Sequence, residues 1–103
     1  MPAPPALLAA AVADLRRAPW MPPFRLILRD VPGELGSCTR GANGTFTLTL
    51  SAGLTRAYPS ASVLLLVHEG AHALAWSARG QSDHGPAFGR AYGRIWRYLH
   101  PAE

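Results

Sequence analysis

Lysine is absent from these 103 residues and cysteine occurs once. With Cys38 alone, neither an internal disulfide nor a four-cysteine zinc ribbon can form, and residence in a reducing compartment is permitted. Cys38 reads as a small buried strand residue rather than a stray ligand, because free cysteine is among the most buried residue types. Charged residues are also scarce, at 16% against 49% hydrophobic, which excludes a disordered charged tail and favours a compact globule. No apolar run approaches the roughly 20 residues that a membrane span needs. The apolar segment 7–13 is followed by Arg16 and Arg17 instead of preceded by them, the wrong order for a secretory signal. The expectation is a cytoplasmic protein with no membrane partner, folded as a single domain over residues 1–103, with the proline-rich stretch 1–5 frayed.

What is present is arginine: all ten cationic side chains, for a net charge of +4. Guanidinium groups pair bidentately with phosphate and carboxylate, so weak, non-specific nucleic-acid contact is open. A genome rich in G and C explains the same abundance of Arg, Ala, Gly and Pro with no partner at all. Arg90, Arg94 and Arg97 recur along one face of the last helical segment. They are the best candidates for a phosphate-backbone contact, although a solvated helix face accounts for them equally well.

Periodicity predicts a helix over 6–18, a strand over 24–30, a short strand over 35–40 and a clear strand over 45–51. The Gly41-Ala42-Asn43-Gly44 turn joins the last two as a hairpin. Consecutive short connections predict a three-stranded antiparallel sheet, with the threonines of 45–51 on a solvent face and about three helices on the other. A second helix is expected over 61–79, capped by Ser60 or Ser62 and closed by Gly80. The last helix starts at Pro86 and runs to Leu99, with Phe88, Ala91, Tyr92, Ile95 and Leu99 as its apolar stripe. The fold class is therefore α+β.

The second helix carries the chemistry. Residues 68–72 read His-Glu-Gly-Ala-His, so His68 and His72 lie one turn apart on one face, with Cβ atoms roughly 5–6 Å from each other. Both imidazoles can reach one cation, and His84, from outside the helix, can supply a third nitrogen. Three histidines would leave the fourth tetrahedral position of Zn²⁺ to water, the mark of a catalytic rather than a structural zinc. Glu69 is then placed to take the proton of that water. The apolar run 63–67 ahead of the motif predicts a buried helix, in which three polar side chains need partners. His84 precedes a helix N-terminus, whose positive end favours the neutral ring that ligation requires. Asp83 is read as a carboxylate that hydrogen-bonds a ligand histidine and orients its ring or, alternatively, as a loop residue or cap. Gly70, inside the helix, is expected where the sheet or a substrate strand comes close, or is simply tolerated.

The His68-to-Leu74 segment and the following Asp83-His84-Gly85-Pro86-Ala87-Phe88 segment resemble those of the SprT-like zinc metallopeptidases. Weaker likeness lies in Leu35-Gly36-Ser37-Cys38 and in the strand ending at Leu50-Ser51, and the match spans 24–99. The resemblance implies a minimal zincin-like fold, zinc on His68, His72 and His84, Glu69 as general base, and a protein or peptide as the hydrolysed substrate. Members often carry a zinc ribbon or nucleic-acid-binding modules after this core, and these 103 residues contain neither. A role on DNA-bound substrates is therefore not carried over. Two rival readings remain: a small basic DNA-binding or scaffold module braced by a structural zinc, and a zinc hydrolase acting on an amide other than a protein.

Overall fold

The computed structural model describes residues 4–76 and 84–101. Seven elements follow one another: α1 (Ala6–Arg17), β1 (Phe24–Leu28), β2 (Gly36–Arg40), β3 (Phe46–Leu50), α2 (Ala52–Ala57), α3 (Pro59–Leu74) and α4 (Pro86–Leu99). Pro5 is drawn into the first of them as its N-cap, and its carbonyl oxygen accepts the Ala9 N–H at 2.9 Å. The expected fraying therefore does not reach it. The fold is α+β, with four helices among the described residues rather than about three.

The sheet is mixed, not antiparallel, and its strand order is β1-β3-β2. β3 lies between its neighbours, parallel to β1 from Phe24↔Phe46 to Leu28↔Leu50 and antiparallel to β2 from Gly36↔Leu50 to Arg40↔Phe46. The reason is burial. β3 buries Phe46, Leu48, Thr49 and Leu50, whereas Gly36-Ser37-Cys38-Thr39-Arg40 has one buried residue, Cys38, and suits an edge. Seating β3 in the middle obliges the 29–35 link to pass over the end of a strand, about two strand spacings or 9–10 Å. The Val31–Glu34 turn therefore belongs to that link and does not make a hairpin between neighbours. Thr49, expected in solvent, is buried because β3 is flanked on both sides.

The β2–β3 hairpin forms as read, with Gly44 at φ +82° and the Gly41 N–H bonded to the Thr45 carbonyl at 2.9 Å. α2 was not anticipated. Ser51 caps it by accepting the Leu54 N–H at 3.1 Å. Asp30, from the β1 end, accepts from Ser51 Oγ at 3.0 Å and from the Gly53 N–H at 2.9 Å. These bonds hold the Asp30 carboxyl below its ordinary value, the Gly53 N–H contributing most.

α3 is the centre of the molecule and packs against α1, α2, α4, β2 and β3. Its N-cap is Tyr58 with Pro59 as the first helical residue, so neither serine caps it; Ser62 Oγ instead donates to the Pro59 carbonyl at 2.6 Å. The helix ends at Leu74, short of the predicted 79, with the Ala75 N–H turned back onto Ala71 and Ala73. Gly80 and Asp83 lie outside the described residues. α4 has its predicted bounds and buries Phe88, Ala91 and Ile95. Leu8, Leu15, Leu48, Leu50, Leu66, Val67 and Ile95 are almost wholly enclosed at the meeting of helices and sheet. No helix among the described residues is long and apolar enough to cross a membrane.

Candidate metal centre

His68, Glu69 and His72 project from the C-terminal half of α3, and His84 stands just ahead of the α4 N-cap, Gly85. His84, twelve residues after His72 and sixteen after His68, meets both at the Nε2 atoms: His72 to His84 is 3.2 Å and His68 to His84 is 3.3 Å. Tetrahedral coordination at about 2.0–2.1 Å puts neighbouring nitrogens about 3.3–3.4 Å apart, so the spacing suits one small divalent cation. Ring protons serve such a cluster poorly, because an N–H points at one acceptor and three nitrogens face a common centre. A cation there serves all three. The donor set fits a metal ion.

Phe88 holds the rings in place. Its centroid lies 4.6 Å from that of His72, 4.8 Å from His84 and 5.1 Å from His68. It sits one turn into α4, so the helix that delivers His84 also supplies the apolar floor beneath the cluster. The sequence placed Phe88 in the core stripe and in the motif that follows His84, without giving it a part in the site. His72 is buried, His68 is half-buried and His84 is exposed, which leaves the cluster open on the His84 side. Burial, with the neighbouring His84 second, pushes the His68 imidazole below its ordinary value and so towards the neutral form that a ligand needs.

Glu69 is only 6% exposed, and its carboxylate has no hydrogen bond or ion pair among the described residues. It packs so closely over β2 that a Cβ on Gly36 would stand 2.9 Å from its Oε2. Burial first, and then the Glu34 charge, push its carboxyl up to about 7. The Cys38 thiol is raised to about 12 by burial and by Glu69. Cys38 is thus an inert core residue, as read. No family model, curated protein or solved structure matches this chain. What can be said of the site rests on its own geometry.

A cleft of about 490 Å³ opens beside the cluster, lined by Gly33, Glu34, Leu35, Gly36, Leu65, His68 and Glu69. Glu34 and Gly36 are the wall residues that sequence reasoning missed, because nothing in their spacing ties them to a helix some thirty residues on. Of the other polar rings on or next to α4, Tyr92 lies 6.0 Å from Phe88, and two pack elsewhere. Tyr98 meets Trp20 edge-on at 5.5 Å, and His100 stacks on Trp96 at 3.9 Å. Arg90, Arg94 and Arg97 are all exposed, but the Arg94 guanidinium lies 4.3 Å over the Trp20 ring, so the stripe is partly packed. Gly70 faces neither sheet nor substrate; Ile95, Met21 and Leu15 close over it, so the close approach is between helices.

Proposed function

We propose that this chain is a zinc-dependent metallopeptidase with a minimal zincin-like fold, akin to the SprT-like enzymes its motifs resemble. His68, His72 and His84 would hold the ion, and Glu69 would handle the proton. The observation that supports this reading is the convergence of three Nε2 atoms at 3.2 and 3.3 Å beside a buried, unpartnered carboxylate. Zn²⁺ bound there would supply a Lewis acid and make hydroxide accessible near neutral pH.

The residues of the chain divide the remaining work. The three imidazoles would hold the ion as neutral donors, and Phe88 packs on all three rings and so fixes their orientation. Glu69 accepts a proton from the attacking water as the new C–O bond forms, and returns it to the amide nitrogen as the C–N bond breaks. Gly36 lets that carboxylate approach the sheet. β2 lies at the edge of the sheet beside the cleft, so its outer backbone groups can pair with an extended peptide.

Replacing Glu69 with Gln tests the proposal. Zinc content should stay at that of the native protein while turnover of a peptide library falls roughly 10²–10⁴-fold. Undiminished cleavage by the variant would remove Glu69 from the chemistry. A native protein that binds zinc, cleaves nothing and binds DNA with a steep salt dependence would select the structural-zinc module instead. Hydrolysis confined to non-protein amides would select the third reading.

A further inference from the structure

Four of the six acidic side chains lie among the described residues, and three of those four are paired or buried. Among the described residues, Asp14 pairs with Arg17, Asp30 accepts from Ser51 and Gly53, and Glu69 is buried against β2. Glu34 is the exception. It is exposed, its carboxylate has no hydrogen bond or ion pair among the described residues, and it lines the cleft that also holds His68 and Glu69. None of the nine arginines among the described residues is in the lining, although the chain has a net charge of +4.

Its backbone is fixed. Val31-Pro32-Gly33-Glu34 closes on a 3.0 Å bond from the Glu34 N–H to the Val31 carbonyl, with Gly33 at φ +80°. Proline in the second position and a positive-φ glycine in the third define a type II turn, which both residues favour beforehand. A preset turn therefore presents an unpaired carboxylate at the wall of the cleft, two residues from the glycine that touches Glu69. Two carboxylates on one wall, with no cationic side chain among the described lining residues, make this part of the cleft attractive to a positive group and poor for a negative one.

We infer that Glu34 is a specificity-determining residue through which the cleft selects ligands bearing a positively charged nitrogen, either an arginine or lysine side chain or the free N-terminus of a peptide. Naming that ligand a peptide rests on the hydrolytic reading above; the selection for positive charge does not. Equilibrium binding to the zinc-loaded Glu69→Gln variant separates the two, because no turnover is needed. Four peptides of one sequence serve as probes, with arginine or its neutral isostere citrulline at a central position, each acetylated or free at the N-terminus.

The arginine peptide should bind about fivefold more tightly than the citrulline peptide at low ionic strength, as an exposed ion pair allows, and the ratio should shrink as salt is added. A free amine that substitutes for arginine would place the selected charge at the N-terminus. Adding Glu34→Gln should bring the ratio to one, and adding Glu34→Arg should take it below one. Equal affinity for all four peptides, no binding by any, or a preference that survives both Glu34 substitutions would overturn the inference. If the native protein cleaves nothing while the charge preference holds, the hydrolytic reading fails and the role of Glu34 stands.

Discussion

A methyl group at position 36 would stand 2.9 Å from Glu69 Oε2 and 3.1 Å from the Thr49 carbonyl oxygen. The carboxylate can swing away, but the strand backbone cannot. Gly36→Ala should therefore destabilise by about 1–3 kcal/mol and lower any Glu69-dependent turnover, both read from urea unfolding and peptide cleavage on one preparation. At Gly70 the balance differs. An added methyl would meet the ends of Ile95, Met21 and Leu15 at 3.3–3.7 Å, and alanine is the better helix former by about 1 kcal/mol. Gly70→Ala should leave stability within about 1 kcal/mol of native in the same assay, since the two effects oppose each other. The sequence marked Gly70 as unusual because a helix interior disfavours glycine. It could not mark Gly36, because a glycine at a strand end is unremarkable until the helix that presses on it is known.

Among the elements, α2 and the sheet order were the least legible. α2 has six residues, too few for a periodic signal, and its start depends on a cap contributed jointly by Ser51 and by Asp30, twenty-one residues earlier. That cap has a pH signature. The Asp30 carboxyl is held below its ordinary value of 3.8, so its contribution to stability is complete above that value and is lost as pH falls through the lower, folded-state value. The unfolding midpoint of the native protein should drop between about pH 5 and pH 2 more steeply than that of Asp30→Asn. Equal slopes would assign the acid sensitivity to other groups. The sheet was misread because short connections were taken to mean adjacent strands. The hairpin was legible from its turn residues, and α1 and α4 from their apolar spacing.

For the molecule as a whole, α3 ties the site to the core. The radius of gyration of 12.9 Å is close to the value of about 13 Å for a compact domain of about 100 residues. Because His68 and His72 belong to α3 while His84 is attached to α4, a cation on all three would clasp two helices that already pack together. Such a ligand binds the folded state and not the unfolded one. Zinc at a hundredfold excess over its dissociation constant should add about 2.7 kcal/mol, which for a domain of this size raises the thermal midpoint by roughly 10–20 °C. Chelation should reverse the shift. His84→Ala should abolish most of it, and an equal shift in that variant would show zinc binding elsewhere.

The placing of His68 and His72 on one face, with Glu69 beside them, was legible in the sequence alone, because a helix imposes its own geometry: about four residues make one turn whatever the surroundings, whereas the meeting of His84 with them is a contact between segments. The α+β class followed in the same way from local periods of apolar residues. The order of strands, the packing of Phe88 beneath the rings, the place of Gly36 under Glu69 and the stance of Glu34 on the cleft wall were decided only in three dimensions. Each is a contact between segments far apart in the chain, and such contacts are chosen by which faces bury best together, which no local pattern records.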